Sequence, residues 1–537
     1  MSPALRANLE WLGKHDPGLR TRLMEAPQPG ALAVEAGELV WHRGLQATRI
    51  REDPADLDAL VPGARAGDVV WLGVGSGVLL RALLERVDGT VVAWDRDVAF
   101  LRPALDAVDW TPWLSSGKLR FASGSDLLAA PGTRLAHPQL GVAYPDELAF
   151  QGDRPRALLV SGTLFVDDVG EALREEGWDV FRWDVRDLPV NELERIARGV
   201  APSVVVGINH TYGLAEACAK LGVPLVEWEI DPSTDTLAPT HVTGATVWTW
   251  RRDNVPAYRK AGFQAHYLPL ATNPVRRAPV ELTAEDRATY GVPVAYVGSS
   301  MVGRGRELLA EFVRTFGKIF GDADAGLDIA RQLLDVQAKR VWDEGYILPR
   351  LLRRLAPDLD ARFAAAGSRH RPDALLGELA AARYRLEVLA AVANQGLHVW
   401  GDPGWDALAP AGATIRGWAG HYHELTRIYS AAHVHVDVGR LYQLDIVPMR
   451  IFDVIAAGGF VLAQHSDALA DVLVPGVEVE TWRTREELRQ KVAFYLSDPD
   501  ARARIVHAGR ARVLAEHTIR RRVRTMLAEA NRGMDAA

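Results

Sequence analysis

The chain has very little cysteine: Cys218 stands alone among 537 residues. A single cysteine excludes an intrachain disulfide and a cysteine-based zinc cluster, and it is typical of a reducing compartment. We interpret Cys218 as a small buried side chain rather than a nucleophile. No stretch reaches the uninterrupted apolar length of a membrane helix, and residues 1–11 lack the hydrophobic segment of a secretion signal. The sequence therefore predicts a soluble, cytoplasmic protein without a membrane span.

An excess of positive charge is also missing. The chain has 62 Lys and Arg residues against 69 Asp and Glu residues, which gives a net charge of −7. This balance excludes the broad basic surface of a nucleic-acid-binding protein, so an anionic ligand would need a local basic pocket. With 48% hydrophobic and 24% charged residues, the composition is that of an ordinary globular protein. At usual domain sizes, this length predicts about three domains.

The chain does contain, three times over, a short β-branched run, a turn of small residues and an amphipathic helical pattern. This order is typical of parallel α/β domains. It predicts a Rossmann-like N-terminal domain over residues 1–150, a second domain over 151–284 and a third over 285–537. A Pro- and Gly-rich stretch around 130–145 is predicted to be a linker. Residues 305–395, rich in Leu, Ala and Arg, are longer than a crossover helix requires and predict a helical insertion.

The most informative segment is residues 439–463, in which polar residues lead into a helix that ends at paired glycines before a hydrophobic strand. Asp445 and Asp453 are eight positions apart, near the helix entrance and about two turns on, so both can face a polyhydroxylated ligand. The helix start offers backbone N–H groups to a diphosphate, with Arg440 and Arg450 as charge-assisted donors. A core helix with two solvated aspartates is the alternative.

A second segment, residues 296–306 with the sequence YVGSSMVGRGR, predicts a strand that runs into a Gly- and Ser-rich turn and a basic helix start. A loop that cradles phosphate requires this order. An ordinary strand–turn–helix connection is the alternative. If the loop binds phosphate, the binding residues are Gly298, Ser299, Ser300, Arg304 and Arg306.

Taken in order, these elements resemble the C-terminal domain of retaining GT-B glycosyltransferases of the glycosyl transferase group 1 type. The resemblance is to family 4-like enzymes and in particular to the spore-maturation CgeB-like branch. It implies that Asp445 contacts sugar hydroxyls and Asp453 the nucleotide ribose, although both are Asp where Glu is usual. It also implies two facing Rossmann-like domains, a nucleotide-sugar donor, and retaining transfer without a metal or cofactor. The acceptor would be a protein or a glycan.

The closing helix of such enzymes usually crosses back onto the acceptor-side domain. Residues 518–530 show an apolar stripe at Ile519, Val523 and Met526, which is the spacing of one helical face. We predict that this helix crosses back. Packing on its own block is the alternative.

Residues 155–280 resemble the N-terminal half of the same branch. Asp231 follows a buried strand, at the sheet edge where α/β folds place ligands, and is a candidate catalytic residue together with Asp445. An Asp that opens a turn before a proline is the alternative. His210 follows another strand and is predicted to orient a hydroxyl, with an ordinary loop histidine as the alternative. The histidines of the third block form no metal-binding spacing, so no metal is expected.

The N-terminal block carries WLGVGSG at residues 71–77, followed about twenty positions later by an acid at the end of the next strand. Glycines permit close backbone approach to a nucleotide, and the acid binds ribose hydroxyls. An S-adenosylmethionine-dependent methyltransferase is thus an alternative function, and a non-catalytic nucleotide-sugar-binding protein is another. The block also resembles the N-terminal domains of some bacterial flagellin glycosyltransferases, which favours an accessory domain. The nucleotide-like loop comprises Gly73, Gly75, Gly77 and Asp95.

Overall fold

The computed structural model describes residues 1–26, 31–43, 46–61, 67–161, 165–184, 192–209, 211, 213–230, 246–420 and 423–535. The described residues fall into two compact units. Unit 1 contains Met1–Trp228 and residues 529–535, and unit 2 contains residues 229–230 and Thr246–Ala528. No helix within the described ranges is long and apolar enough to cross a membrane.

Unit 1 begins with two helices and a small antiparallel sheet in the order β1-β2-β3, followed by a parallel sheet in the order β6-β5-β4-β7. The strands at the centre of the parallel sheet are buried on both faces, as their continuous apolar sequences predict. The helices are α1 (Pro3–His15), α2 (Pro17–Glu25), α3 (Val78–Arg86), α4 (Arg102–Ala107), α5 (Thr111–Ser115) and α6 (Pro145–Ala149). The strands are β1 (Leu32–Glu35), β2 (Glu38–Arg43), β3 (Gln46–Ile50), β4 (Val69–Leu72), β5 (Val91–Asp95), β6 (Leu119–Ser123) and β7 (Thr133–Ala136).

A second parallel set of strands in unit 1 has the order β11-β10-β8-β9. Its β-branched runs alternate with amphipathic helices, as a βαβ pattern requires. These elements are β8 (Arg156–Ser161), α7 (Val166–Glu175), β9 (Asp179–Asp184), α8 (Glu192–Val200), β10 (Val204–Ile208), α9 (Leu214–Leu221) and β11 (Leu225–Glu229).

Unit 2 contains a parallel strand pair and a six-stranded parallel sheet in the order β16-β15-β14-β17-β18-β19. The first strand of this sheet in sequence, β14, lies at its centre between β15 and β17, so the order reverses there, where open α/β sheets bind ligands. The strands are β12 (Thr246–Thr249), β13 (Gln264–Tyr267), β14 (Val294–Val297), β15 (Leu397–Trp400), β16 (Thr414–Gly417), β17 (Val434–Asp437), β18 (Val461–Gln464) and β19 (Glu480–Trp482).

In unit 2, five helices, α12 to α16, lie between β14 and β15, where the sequence predicts a helical insertion, and the insertion over 305–395 stays a prediction. α16 packs against α12 with buried Leu, Ala and Val residues. The helices are α10 (Val255–Lys260), α11 (Ala284–Tyr290), α12 (Val302–Phe320), α13 (Ala323–Glu344), α14 (Leu348–Leu355), α15 (Leu359–Ala365), α16 (Pro372–Ala390), α17 (Glu424–Ala431), α18 (Met449–Ala456), α19 (Asp467–Ala470), α20 (Arg485–Ser497), α21 (Pro499–Glu516) and α22 (Ile519–Asp535).

The α/β fold with parallel, Rossmann-like sheets is confirmed. The linker prediction was wrong, because residues 130–145 contain β7, which pairs in parallel with β4 at the edge of the sheet. Its four residues lie between glycine and proline, and so short a run gives no periodic signal. The antiparallel sheet of β1 to β3 was not predicted. The domain boundaries near 150 and 284 stay predictions.

The last helix, α22, buries the side chains of Ile519, Val523 and Met526 as the stripe predicts. Within unit 2 its start is held to the segment after β13. Thr272 N–H donates to His517 O at 3.1 Å, and Ile519 N–H donates to Thr272 O at 2.9 Å. Arg522 Nε donates to Pro269 O at 2.8 Å. These contacts fit the predicted crossing, which stays a prediction for the helix as a whole.

Candidate functional site

The turn after β14 lies very close to the guanidinium of Arg450. Gly298 has a φ of +156°, and a Cβ there would lie 2.6 Å from Nη1 of Arg450 and 3.2 Å from the hydroxyl of Tyr296. Any larger residue would have to displace the guanidinium. The loop predicted from its glycine pattern is therefore a tight backbone turn over Arg450.

A carboxylate that the sequence analysis did not identify closes this turn from β15. Asp402 accepts hydrogen bonds from the hydroxyl of Ser299 at 2.9 Å, the N–H of Ser300 at 2.6 Å and the N–H of Gly404 at 3.0 Å. Burial alone would raise the pKa of Asp402, but the hydrogen bonds from Ser300, Ser299 and Gly404 together outweigh it and lower the pKa. Ser299 and Ser300 thus hold Asp402 in the structure, and their phosphate contacts stay predictions.

A cavity of about 660 Å³ lies in front of the turn, bounded by the start of α12 and by the segments that follow β15 and β16. Arg304 and Arg306 line it, and Arg304 pairs with Glu307 at 3.0 Å in an exposed ion pair. Arg306 is exposed and has no ion-pair partner in the part of the chain that the structure describes. Trp418 is 72% exposed at the rim. The cavity thus combines backbone groups, two arginines, the carboxylates of Asp402 and Asp406, and an exposed aromatic ring.

Arg450, in the first turn of α18, is half-buried and does not line the cavity. Its Nε donates to Asp437 at 2.9 Å, and its Nη1 donates to the carbonyl of Val297 at 2.6 Å. Burial would lower the pKa of Arg450, but the Asp437 carboxylate outweighs it and raises the pKa above its ordinary value. Its guanidinium also lies 4.9 Å from the centre of the Tyr296 ring. The predicted diphosphate contact of Arg450 stays a prediction, and it would require these bonds to be exchanged.

Two loops at this edge of the sheet are connected through one buried arginine of the insertion. Arg385, on α16, donates to the carbonyl of Ser299 at 2.8 Å and to that of Gly439 at 3.4 Å. The adjacent Arg440 is half-buried, and no ion pair engages it among the residues described. Arg440 is therefore the predicted cation that keeps its donors available in the loop after β17.

Asp445, just before α18, forms a two-point ion pair with Arg251. The guanidinium donates at 3.1 Å and 3.3 Å, and the side chains are 14% and 15% exposed. The pair fixes the carboxylate orientation while leaving it partly accessible. The predicted contact with sugar hydroxyls stays a prediction.

Asp453, inside α18, is more deeply buried. It accepts from the hydroxyl of Thr272 at 2.6 Å and from Nε of Arg277 at 3.0 Å, and the Asp453 and Arg277 side chains are 4% and 5% exposed. In this arrangement Asp453 holds the segment after β13 to α18. The predicted ribose contact stays a prediction, and this ion pair would have to open for it.

The two catalytic candidates of the second block, Asp231 and His210, lie outside the described residues. On either side of His210, Asn209 has a φ of +62° and the N–H of Thr211 donates to Glu227 at 3.3 Å. The roles of Asp231 and His210 stay predictions.

The glycine turn of the N-terminal block is filled by the protein itself. Glu52 accepts from the N–H of Ser76 at 3.0 Å and from its hydroxyl, and the ring of His137 lies 3.2 Å away. The Glu52 and His137 side chains are 4% and 0% exposed. A Cβ on Gly75 would lie 2.4 Å from the Glu52 carboxylate. Glu52 therefore occupies the space in front of the turn where a nucleotide would approach.

Asp95, the predicted ribose ligand of this block, is fully buried. It accepts from Tyr144 at 2.7 Å and from the N–H groups of Val74 and Arg96 at 3.3 Å and 2.9 Å. Burial raises the pKa of Asp95 to about 7. Gly73 and Gly77 are closed by aromatic side chains, since a Cβ would lie 2.9 Å and 2.7 Å from ring atoms. This arrangement does not favour the methyltransferase alternative.

Within the described ranges, no group of three or more His, Cys, Asp or Glu side chains is arranged to hold a metal ion. Cys218 is buried, and burial raises the pKa of its thiol to about 12, which makes it a poor nucleophile.

Residues 352–528 match the sequence profile of the glycosyl transferase-like family. Comparison with curated proteins found no match. Solved structures with a similar fold include a glycosyltransferase from Rickettsia africae, with 11% identity, 72% of this chain and 100% of that chain covered, and a TM-score of 0.41. Sucrose-phosphate synthase from Thermosynechococcus elongatus has 13% identity, the same coverage and a TM-score of 0.41. An Anabaena protein in complex with UDP and glucose has 12% identity, 70% and 98% coverage and a TM-score of 0.41.

Proposed function

We propose that the protein transfers a sugar from a nucleotide-sugar donor to a protein or glycan acceptor. The match of residues 352–528 to the glycosyl transferase-like family supports this proposal. The transfer retains the anomeric configuration, needs no metal and takes place in the cytoplasm. The CgeB-like branch of the GT-B enzymes is the subtype that we assign.

The observation that carries the proposal is the cavity of about 660 Å³ in front of the turn after β14. It lies at the ends of the strands where the sheet order reverses, and the start of α12 borders it. A helix start and two arginines favour a diphosphate, and the exposed Trp418 ring offers a face to a nucleobase. The cavity is large enough for a nucleotide-sized ligand.

In this proposal the diphosphate is neutralised by Arg306 and Arg440, the two predicted cations without an ion-pair partner among the described residues. Electrostatic stabilisation of the leaving nucleotide then supplies most of the rate enhancement. Asp445, held by Arg251, binds hydroxyls of the transferred sugar. Asp453 binds the ribose after its pair with Arg277 opens.

The acceptor side belongs to residues 151–284 in our proposal, with Asp231 and His210 as its reacting groups. The domain over 1–150 has an accessory role, since Glu52 fills its glycine turn. Acceptor docking is the role that we assign to this domain.

Calorimetric titration tests the proposal. UDP, GDP and their glucose and mannose conjugates are titrated into the wild type and into Arg306→Gln and Arg314→Gln, two variants on α12. Arg306 lines the cavity, and Arg314 is exposed on the same helix away from it. We expect one nucleoside diphosphate to bind, Arg306→Gln to weaken it by about 1.5–3 kcal/mol, and Arg314→Gln to leave it unchanged. Equal weakening by both variants would exclude the cavity as the donor site.

Two further measurements separate the alternatives. Hydrolysis of the bound nucleotide sugar would show chemistry, whereas a non-catalytic binding protein leaves the donor intact. Thermal stabilisation by S-adenosylmethionine would support a methyltransferase, because only a ligand of the folded state raises the melting temperature.

A further inference from the structure

One amide in the loop before α18 is buried without a partner. Gln443 is 1% exposed, and neither its side-chain oxygen nor its side-chain nitrogen has a hydrogen-bond partner among the residues that the structure describes. A buried amide that is left unpaired destabilises the fold. Buried polar groups in native proteins are almost always satisfied. Gln443 is therefore positioned for a group that is not part of the described protein.

The space beside Gln443 is a cavity of about 20 Å³ at the ends of β17 and β18. This volume admits one water molecule or one hydroxyl group. Three other polar side chains line it, and each already has a partner: Gln464 binds Gly439 N–H and Tyr384, Ser466 caps the N–H of Leu469, and Asp437 binds Arg450. Gln443 alone has both a donor and an acceptor unused.

The chemistry of the missing group follows from the amide. A side-chain amide donates through its nitrogen and accepts through its oxygen, and a hydroxyl group does both as well. A phosphate oxygen would accept but not donate, so it would leave the amide oxygen of Gln443 unpaired. A hydroxyl of a sugar satisfies both ends.

The position of Gln443 in the chain indicates which molecule supplies the hydroxyl group. It lies two residues before Asp445, in the loop between β17 and α18 that carries Arg440. We propose that Gln443 is a specificity-determining residue that receives one hydroxyl of the donor's sugar into this cavity. The inference rests on the proposed function, because it takes the sugar to lie beside Asp445. A structural water in the same cavity is the rival explanation.

Donors whose sugar lacks one hydroxyl group distinguish a sugar hydroxyl from a structural water as the partner of Gln443. UDP, GDP, UDP-glucose, GDP-mannose and the monodeoxy analogues of both sugars are titrated into the wild type and into Gln443→Met, which has a similar length and no amide. In the wild type we expect one monodeoxy analogue to bind about tenfold more weakly than its parent. Gln443→Met should bind parent and analogue equally, while its affinity for the free nucleoside diphosphate stays that of the wild type.

Each outcome of these titrations either supports or overturns the assignment of Gln443 to a sugar hydroxyl. If no monodeoxy analogue is weakened in the wild type, the inference is overturned without any variant, and a folding defect in Gln443→Met cannot obscure that result. A variant with a lower melting temperature and an unchanged ratio of parent to analogue affinity identifies a structural water. If the wild type binds the nucleoside diphosphates but binds every monodeoxy analogue as tightly as its parent, the proposed function stands and this inference is refuted. A wild type that binds none of the probes refutes both.

Discussion

Two glycine turns follow the central strand of a parallel sheet in this chain, one after β4 and one after β14, and each is closed by a carboxylate from elsewhere. After β4 that carboxylate is Glu52, which is almost completely buried. After β14 it is Asp402, which is half-buried beside a cavity of about 660 Å³. The comparison teaches that a glycine pattern predicts the shape of the turn but not the space in front of it.

The pKa values of the carboxyl groups at the two turns also differ. Burial raises the pKa of Asp95 to about 7, which is typical of a core carboxyl group. Hydrogen bonds from Ser300 lower the pKa of Asp402, which therefore stays ionised at neutral pH. The first turn belongs to a packed core, and the second borders an open cavity lined by both arginine and aspartate side chains.

The largest effect that we expect tests whether Arg450 supports the second turn. Arg450→Gln removes the cation that compensates the buried Asp437 carboxylate, so the free energy of unfolding should fall by about 3–5 kcal/mol. Arg440→Gln, ten residues earlier, is the matched control and should leave unfolding in urea unchanged. If Arg450→Gln unfolds like the wild type, Arg450 is free to bind a ligand and the turn has another support.

The next effect concerns ligand affinity. Arg440→Gln should weaken binding of the preferred nucleoside diphosphate by about 1.5–3 kcal/mol, because a charge-assisted phosphate contact is lost. Calorimetry measures this, with Arg331→Gln on the exposed surface of α13 as the control. Unchanged affinity would move the diphosphate away from the loop after β17.

A comparable substitution at the first turn should act on stability alone. Glu52→Ala leaves the N–H and hydroxyl of Ser76 and the ring of His137 without their acceptor, which should lower the free energy of unfolding by about 1–3 kcal/mol. Glu35→Ala, which removes an exposed partner of His42, is the control and should change it little. The comparison between the two turns would break if Glu52→Ala gained affinity for S-adenosylmethionine, because the first turn would then be a latent site.

These predictions also mark how much of the molecule can be read from its sequence. The apolar run of β4 and the glycines after it predict the first turn, and the YVGSS segment predicts the second. The carboxylates that close the turns were not predicted, because Glu52 lies 24 residues from Ser76 and Asp402 lies 102 residues from Ser300. Hydrogen bonds over such separations leave no periodic signal. The Asp-Pro-Gly sequence after β15 was the one local indication, since it places an acid at the end of a parallel strand.

The two aspartates before and within α18 show the same limit of sequence patterns. Spacing predicts that Asp445 and Asp453 lie on one side, but it does not predict their partners. Arg251 and Arg277 come from a distant part of the sequence, and they decide that Asp445 is partly accessible and Asp453 is buried. Tertiary pairing, rather than helix periodicity, therefore separates a candidate ligand from a structural ion pair.

The smallest effect that we predict is that of Arg304 on nucleoside diphosphate binding, which should be weaker than that of Arg306 on the same helix. Arg304 is drawn to Glu307 by an exposed ion pair, so part of its charge is already compensated on the helix surface. Arg304→Gln should therefore weaken binding of the nucleoside diphosphate by only about 0.2–1 kcal/mol, and the effect should decrease at high salt. Glu307→Gln, which releases Arg304 and removes a nearby negative charge, should strengthen binding by a similar amount. A loss with Arg304→Gln as large as with Arg440→Gln would show that Arg304 leaves Glu307 and contacts the diphosphate directly.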